Sequence, residues 1–278
     1  MTLDMTRESL GSSDAALRVR DGVPPASPTV RLGPFKVSDT TKEETASRLV
    51  ELAVGSARDR AVLAFALHVG GLNALNHEAF VRAMKAADLV YADGGSVVWL
   101  GKRNGASRMG RAATTDIGWD VLRGIGARLG RTPRVALIGG RPGLAKRAGA
   151  VLEGAGAAEP VLIVHGYHES WAGHVDRVRR ARPDVVLVGM GAPNEMIWAH
   201  EWAPSFGQGL VLTCGGWFGF LAGEERRAPS MIRRPGLEWI GRVAQQPWRL
   251  GPRYARGIMT TASLSLQSSR TGSVGSRR

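Results

Sequence analysis

The chain has 278 residues, 44% of them hydrophobic, and its 37 Lys and Arg against 24 Asp and Glu give a formal charge of +13. This length and composition allow one large domain with a substantial core, and the charge favours a polyanionic partner such as nucleic acid, a nucleotide phosphate or anionic lipid. The single cysteine, Cys214, excludes an intrachain disulfide and a multi-cysteine metal site, and the lack of a signal-peptide pattern or of about 18 successive uncharged apolar residues argues against secretion and against a membrane span.

Residues 1–30 mix Ser, Gly, Pro and Asp without periodicity, which predicts a disordered N-terminal segment. Between residues 31 and 222, apolar strand-like runs alternate with segments of helical periodicity. This alternation predicts an α/β fold with a Rossmann-like, mostly parallel sheet and helices on both faces. The predicted strands lie in "AVLAFAL" (61–67), "ADLVYA" (87–92), "RVALIGG" (134–140), "PVLIVHG" (160–166), "PDVVLVGMG" (183–191) and "GLVLTCGG" (209–216).

Two intervening segments, "DIGWDVLRGIGARLG" (116–130) and "PGLAKRAGAVLEGAG" (142–156), have the apolar spacing and the terminal glycine of a helix. The composition then changes, because residues 223–262 are rich in arginine with tryptophan and tyrosine interleaved. We predict a basic, helical C-terminal appendage there. Residues 263–278, rich in Ser, Gly and Arg, are predicted to form a disordered tail.

Ligands of open α/β sheets bind beyond the carboxyl ends of the strands, so glycines and polar residues at these junctions are candidates for a site. "LIGGRPG" (137–143) follows one strand and opens a helix. There Gly139, Gly140 and Gly143 would let backbone N–H groups approach a phosphate. The motif is not a full G-x-G-x-x-G, and a structural turn is the alternative interpretation.

The next strand is followed by "HGYHES" (165–170), where Tyr167 and two histidines could stack on a base or bond a sugar. An ordinary polar loop is the alternative. Because His165 and His168 have no clear third ligand nearby in the sequence, no zinc site is predicted.

The segment "VGMGAPNEM" (188–196) places two glycines directly after a strand, and Gly189 and Gly191 permit close backbone approach. Asn194 and Glu195 then stand at a helix start, where an amide and a carboxylate suit the hydroxyls of a ribose or pyranose. Capping of the helix by Asn194 is the alternative.

Asp93 lies between two apolar segments in "ADLVYADGGSVVWL" and precedes two glycines that leave room for a substrate. A carboxylate at the edge of an apolar pocket can have a raised pKa and accept a proton from an attacking hydroxyl, which makes Asp93 a candidate general base. An Asp-Gly turn or a helix N-cap is the alternative.

Several stretches together resemble the WecG/TagA/CpsF family of bacterial glycosyltransferases, in the family's order and over roughly residues 35–260. The final stretch, with its "RAP", "LEW" and "PWRL..RY" elements, is the most specific. The stretches are "AADLVYADGGSVVWLGKRNG", "ALIGGRPGLAKRAGAVLE", "HGYH", "PDVVLVGMGAPNEMIW" and "RRAPSMIRRPGLEWIGRVAQQPWRLGPRY".

The resemblance implies an inverting transfer, without a metal or cofactor, from a UDP-sugar to a sugar on polyprenyl diphosphate. The sugar would be N-acetylmannosamine, its uronic acid or a related hexose, and the product would serve bacterial surface polysaccharide synthesis. Asp93 falls on the aspartate proposed as the base in this family. The resemblance therefore favours the catalytic interpretation of Asp93 over the turn, and no nucleic-acid partner is expected.

The resemblance also implies which part of the protein contacts the acceptor and the membrane. In the family the basic appendage closes over the site and contacts the membrane, so we expect a cytoplasmic protein held peripherally at the inner face of the cell membrane. Packing of the tryptophans on the core, and ordinary surface arginines, are the alternatives. Some members self-associate, so a homo-oligomer is an open expectation. The residues assigned to the acceptor and to the diphosphate, including that of the departing UDP, are His68, Asn73, Arg226, Arg227, Arg242, Arg249 and Arg253.

Four positions depart from the family pattern. A Thr-x-Asn element on the strand before the aspartate is replaced by "FAL" (65–67), and "PkQE" reads "PNEM" (193–196), which puts Glu195 at the glutamine position. A "GxD" element reads "TTD" at Asp116, and an aspartate after "GGWF" is replaced by Gly219. These departures predict either a donor or acceptor that differs from the common ones or a reduced activity.

Two other functions stay open at this point. The glycine turn and strand pattern alone suggest a nucleotide-dependent oxidoreductase or methyltransferase, although "PVLIVHG" ends in a histidine and supplies no acidic residue for a ribose. The charge suggests a nucleic-acid-binding protein or a non-catalytic scaffold, although no recognition-helix or zinc-knuckle pattern is present.

Overall fold

The computed structural model describes residues 27–55, 60–225 and 247–274. An antiparallel hairpin of β1 (Thr29–Leu32) and β2 (Phe35–Ser38) comes first. A six-stranded sheet follows, in which all neighbouring strands are parallel, so the predicted α/β class is confirmed. Its strands are β3 (Val62–Leu67), β4 (Leu89–Ala92), β5 (Arg134–Gly139), β6 (Glu159–Val164), β7 (Val185–Gly189) and β8 (Leu210–Thr213), in the order β4-β3-β8-β7-β5-β6.

Helices cover both faces of this sheet, because successive side chains of each strand point to opposite faces and both sets are apolar. In β3, Phe65 and Leu67 pack into one core cluster, whereas Ala64 and Ala66 pack into the other. The first face carries α2 (Val69–Leu72), α3 (Glu78–Ala86), α4 (Gly95–Arg103), α7 (Ala172–Ala181) and α8 (Asn194–Trp202), which a short 3-10 helix (Ala203–Ser205) extends. The second face carries α1 (Lys42–Val54), α5 (Thr114–Leu129), α6 (Leu144–Gly154) and α9 (Trp217–Leu221).

Local sequence signals set several helix boundaries. A capping box begins α1: the Thr41 hydroxyl accepts from the Glu44 N–H at 3.2 Å, and the Glu44 carboxylate accepts from the Thr41 N–H at 3.0 Å. Gly130 ends α5 with a φ of 66°, a conformation that glycine adopts without steric cost. The two helices predicted from periodicity, α5 and α6, are both confirmed.

The β1–β2 hairpin lies where the sequence pattern predicts no strand. Leu32, Phe35 and Val37 are buried, and the Phe35 ring meets the Phe80 ring of α3 edge-on, with centroids 5.8 Å apart. Arg31 and Lys36 interrupt these two strands, so neither forms the continuous apolar run that revealed the strands of the sheet, and only this packing identifies them. β1 also overlaps the end of the predicted disordered segment, of which residues 1–26 lie outside the description.

A C-terminal helix spans Pro247–Val274, which confirms the helical character of the predicted appendage. The expectation of a disordered tail from residue 263 is wrong as far as Val274, because the helix continues through it. Tertiary contacts explain the difference. Gly257 lies against Val69 of α2, and Leu264 lies against Gly33 in the turn of the hairpin.

Candidate active site

The carboxyl ends of the six strands open onto one edge of the sheet, because all six strands run parallel. β4 lies beside β3 towards one side of the sheet, whereas β5 and β6 lie on the other side, with β8 and β7 between them. Such a change in strand order creates a crevice at the carboxyl edge, where ligands of this fold class bind. The chain leaves the strands there at His68 (β3), Asp93 (β4), Gly140 (β5), His165 (β6), Met190 (β7) and Cys214 (β8).

One cavity at this edge has a volume of about 610 Å³ and brings together four residues predicted to bind the donor, Gly140, Tyr167, Gly189 and Asn194. Tyr167 is 71% exposed at its rim. We call this space the donor cavity. Its other walls are Gly166, Glu169, Ser170, Trp171, Met190, Ile197, Trp198, Glu201 and Trp202, none of which was predicted from the sequence.

The glycines of the first turn have a packing role. Gly139 has a φ of 126°, and a Cβ on it would overlap the backbone of Gly189. The N–H of Gly140 donates to the Gly189 carbonyl at 2.9 Å, so it is not available to a phosphate. Gly143 precedes α6 with a φ of 83° and lies outside the lining of the donor cavity. Gly139 therefore agrees with the alternative that this segment is a structural turn. Gly140 still forms part of the wall of the donor cavity.

Glu195 is only 1% exposed, so its carboxyl lies beneath the loops and not on the cavity surface. Its Oε2 accepts three backbone N–H groups, from Met190 at 3.2 Å, Gly191 at 2.9 Å and Gly215 at 3.1 Å. Burial raises the pKa of Glu195 to about 7, the three N–H donors oppose this shift, and the charge of Asp93 adds to it. Glu195 therefore joins the loop after β7 to the loop after β8.

Asn194, in contrast, is exposed as the first residue of α8, and no side chain caps this helix. The alternative interpretation of Asn194 as a helix cap is therefore wrong. Its position in the wall of the donor cavity agrees with contact with a ligand.

Asp93 is half-buried and directly follows β4. Its N–H donates to the Leu67 carbonyl at 2.9 Å, which holds it beside the end of β3. Gly94 is the N-cap of α4 and no side chain caps that helix, so the N-cap alternative for Asp93 is also wrong. Asp93 lines neither the donor cavity nor the cavity beside α2 described below. It lies close enough to Glu195 and Tyr91 for its charge to raise the pKa of both groups.

Arg111 is a site residue that the sequence reasoning missed. Its Nε donates to the Asp93 carbonyl at 3.2 Å, and its NH1 pairs with Asp116 at 3.0 Å. Asp116 is the aspartate of the "TTD" departure, so this ion pair ties it to the backbone at Asp93. The only signal in the sequence was one arginine among small residues in "MGRAATT".

Buried hydroxyl groups support this edge from below. Tyr91 and Thr114 form a hydrogen bond of 2.7 Å, and the Thr114 hydroxyl also donates to the Thr213 carbonyl at 3.2 Å. The Thr213 hydroxyl accepts the Ala66 N–H at 3.0 Å. These bonds connect β4, α5, β8 and β3, so the strand ends around Asp93 are held at fixed positions.

A second cavity of about 610 Å³ lies between α2 and the C-terminal helix, and we call it the α2 cavity. Asn73, predicted to bind the acceptor, lines it together with Arg256, which was not predicted. His68 caps α2 through Nδ1, which accepts the Gly70 N–H at 2.9 Å. The remaining lining is Gly70, Ala74, Asn76, His77, Ala192, Pro193 and Pro252.

The loop after β7 separates the two cavities, since Met190 and Asn194 face the donor cavity while Ala192 and Pro193 line the α2 cavity. Of the predicted acceptor residues, Arg226, Arg227 and Arg242 lie outside the part of the chain that the structure describes. For Arg249 and Arg253 only the helical backbone is described.

The histidines of "HGYHES" meet a third one, His174 of α7. The ring centroids of His165 and His168 are 4.0 Å apart, and those of His168 and His174 are 3.9 Å apart. Burial lowers the pKa of His168 and His174, and neighbouring imidazoles and Arg177 lower both further. Within the described residues no three His, Cys, Asp or Glu side chains are arranged to hold a metal ion. The stack lies beside the Tyr167 loop, because the Tyr167 N–H donates to Nδ1 of His165 at 3.2 Å.

Comparison with known proteins identifies the family. The sequence model of the glycosyl transferase WecG/TagA/CpsF family matches residues 30–274, which is most of the chain. The chain belongs to this family. The predicted family and the predicted enzyme class, a glycosyltransferase, are therefore confirmed, and the oxidoreductase, methyltransferase and nucleic-acid alternatives are not supported.

Two curated members of the family are similar to this chain. Both are N-acetylglucosaminyldiphosphoundecaprenol N-acetyl-beta-D-mannosaminyltransferases. The one from Bacillus spizizenii is 26% identical over 213 residues, which cover 73% of this chain and 80% of that protein. The one from Bacillus subtilis is 24% identical over 195 residues, which cover 67% of this chain and 74% of that protein.

Proposed function

We propose that this glycosyltransferase moves N-acetylmannosamine or a related sugar from UDP to a sugar on polyprenyl diphosphate, with inversion and without a metal. The names of the two Bacillus relatives support both the sugar and the lipid-linked acceptor. The observation that carries the proposal is the arrangement at one sheet edge. Two cavities of about 610 Å³ flank one loop, one lined by predicted donor residues and the other by Asn73 and Arg256.

In the proposed reaction Asp93 accepts the proton of the acceptor hydroxyl. The hydroxyl oxygen forms a bond to the anomeric carbon from the face opposite UDP, and the bond from that carbon to the β-phosphate oxygen breaks. The electron pair leaves with UDP. Arg111 supports this role because its bond to the Asp93 carbonyl fixes the backbone that carries the base.

The departing diphosphate needs positive partners, because negative charge increases on its β-phosphate. The N–H groups of Gly140, Met190 and Gly191 are already bonded within the protein, so side chains must supply this stabilisation. Arg256 lines the α2 cavity, on the other side of the loop after β7 from the donor cavity, and the chain carries further arginines before and after it in the sequence. We assign the diphosphate contacts to arginines of this basic C-terminal segment.

The C-terminal helix is the proposed contact with the membrane that holds the lipid substrate. No helix among the described residues has the length and apolarity needed to cross a bilayer. Three large apolar side chains are exposed among the described side chains of the C-terminal helix: Trp248 by 93%, Ile258 by 61% and Met259 by 65%. An exposed Trp248 disagrees with the alternative that this tryptophan packs on the core, and apolar groups beside arginines suit a headgroup boundary.

A donor screen with a base variant tests the proposal. Purified protein is incubated with a panel of UDP-sugars and a short-chain lipid diphosphate acceptor, and UDP release is measured. We expect acceptor-dependent UDP release from UDP-N-acetylmannosamine or a close relative. Asp93→Asn should lower kcat about 100- to 10,000-fold with little change in donor KM, because only proton transfer is lost.

Asp120→Asn is the matched control, since Asp120 is exposed on α5. It should retain the activity of the wild type. Full transfer by Asp93→Asn would show that Asp93 is not the base, and the absence of UDP release with every donor would overturn the proposed function.

A further inference from the structure

The Glu195 carboxyl uses its two oxygens very differently. Oε2 accepts all three backbone N–H groups, from Met190, Gly191 and Gly215, whereas Oε1 is buried and has no hydrogen-bond partner among the described residues. A carboxylate with two equivalent charged oxygens would be expected to use both, since a buried charged oxygen without a partner is costly. A neutral acid explains the asymmetry, because its carbonyl oxygen accepts the N–H groups and its hydroxyl carries the proton.

The surroundings of Glu195 also disfavour a second negative charge. Three ionisable groups that couple electrostatically to it are Asp93 after β4, Tyr91 on β4 and Cys214 after β8. None of these groups is a cation. Arg111 binds the Asp93 carbonyl and pairs with Asp116.

We propose that Glu195 is a positioning residue that works as the neutral acid. In this state Oε2 holds the loops after β7 and β8 together, and the proton on Oε1 keeps a second charge away from Asp93 and from the donor diphosphate. This inference rests on the proposed function. The family pattern has a glutamine at position 195, where this chain has a glutamate. A protonated carboxyl would replace the neutral amide of that glutamine.

Ionisation of Glu195 would place a negative charge directly behind the loop whose Gly189 and Met190 line the donor cavity. A diphosphate bound there would be repelled through a medium that screens poorly. Burial raises the pKa of Glu195 to about 7, so this charge appears as the pH rises through neutrality. Donor binding should therefore weaken over the same interval.

The experiment compares the wild type with Glu195→Gln. Glutamine has the shape of the neutral acid, because its carbonyl oxygen can accept the same three N–H groups, yet it cannot ionise. The affinity for UDP-N-acetylmannosamine is measured by calorimetry from about pH 6 to 8.5. In parallel, the ¹⁵N-labelled wild type is titrated and the amide signals of Met190, Gly191 and Gly215 are followed by NMR. Glu153→Gln, an exposed change on α6, is the control.

We expect the three amide signals to move together with a midpoint near neutral pH in the wild type and in Glu153→Gln, but not in Glu195→Gln. The donor Kd of the wild type should rise roughly tenfold over the pH range, while that of Glu195→Gln stays level. Amide signals with a midpoint near the ordinary glutamate pKa of 4.5 would overturn the neutral-acid state. The same pH dependence of donor binding in wild type and Glu195→Gln would overturn the positioning role.

The two proposals fail in different ways. If UDP-N-acetylmannosamine binds to neither protein at any pH, the proposed function is wrong for this donor. The NMR titration needs no substrate, so it still decides whether Glu195 is protonated near neutral pH.

Discussion

The protonation of Glu195 affects both the stability of the folded protein and the charge beside Asp93. The carboxyl is enclosed under two loops, its pKa is raised to about 7, and its charge would lie close to Asp93. The same group therefore makes a prediction about folding that does not depend on any substrate.

The wild type should lose stability as the pH rises from about 4.5 to 7. Below this range Glu195 is protonated in both the folded and the unfolded chain. Within it the unfolded chain releases the proton while the folded protein keeps it, so unfolding is favoured by an amount on the order of 3 kcal/mol at the upper end. Above this range the difference stays constant.

Urea unfolding of the wild type and Glu195→Gln across this range measures the effect. The unfolding free energy of the wild type should fall relative to that of Glu195→Gln as the pH rises, because the glutamine has no proton to release. A difference that is independent of pH would contradict the raised pKa.

Gly139 illustrates a residue whose identity is set by backbone contact. A Cβ there would overlap Gly189, and a φ of 126° is strained for any other residue. Gly139→Ala should destabilise the protein by roughly 2 kcal/mol or more, measured as a lower midpoint of thermal or urea unfolding. Gly154→Ala, at a position with open space in α6, should change stability by less than about 1 kcal/mol. Equal effects of the two changes would refute the packing role.

At the level of elements, the C-terminal helix closes one wall of the α2 cavity. It crosses α2 where Gly257 lies against Val69, and further along it lies against the β1–β2 hairpin through Leu264. Its position therefore depends on one small residue at the crossing, because a larger one would move the helix away from Asn73.

Gly257→Ala should separate the C-terminal helix from α2. The added methyl overlaps Val69, so we expect faster proteolysis of the helix and weaker use of the lipid acceptor, with donor affinity unchanged. Gly251→Ala is the matched control, because a Cβ there meets nothing and alanine favours the helix by roughly 1 kcal/mol. Normal acceptor KM in Gly257→Ala would remove the helix from the acceptor site.

At the level of the whole molecule, the proposed membrane contact combines the charge of +13 with the exposed apolar residues of the C-terminal helix. In the proposed membrane contact, anionic lipid would attract the basic side chains, and apolar side chains would then enter the headgroup region. The two contributions differ in their response to salt, because only the electrostatic one is screened.

Replacing Trp248 and Met259 by Ser should weaken binding to vesicles of anionic lipid several-fold, measured by co-sedimentation. High salt should weaken binding of the wild type and of the double variant alike. Val151→Ser, an exposed change on α6, should bind as the wild type does. Unchanged binding of the double variant would place the membrane contact elsewhere on the protein.

The sequence by itself determined the fold class, the six strands, two of the helices and the family. The fold class and its elements follow from apolar runs, periodicity and glycine stops, whereas the family follows from the resemblance of several sequence stretches. All of these are properties of neighbouring residues. It also indicated Asp93 and the glycine-rich loops, since the carboxyl edge of a parallel sheet collects the residues that follow its strands.

Only the tertiary structure decided which of those residues are buried, which are bonded within the protein and which line a cavity. It buried Glu195 beneath two loops, used the Gly140 N–H within the protein, brought Arg111 to Asp93 and placed His174 beside His168. It also stabilised the β1–β2 hairpin and the C-terminal helix as far as Leu264 through contacts between distant segments. Burial and hydrogen-bond partners are set by residues far apart in the chain, so no local pattern could reveal them.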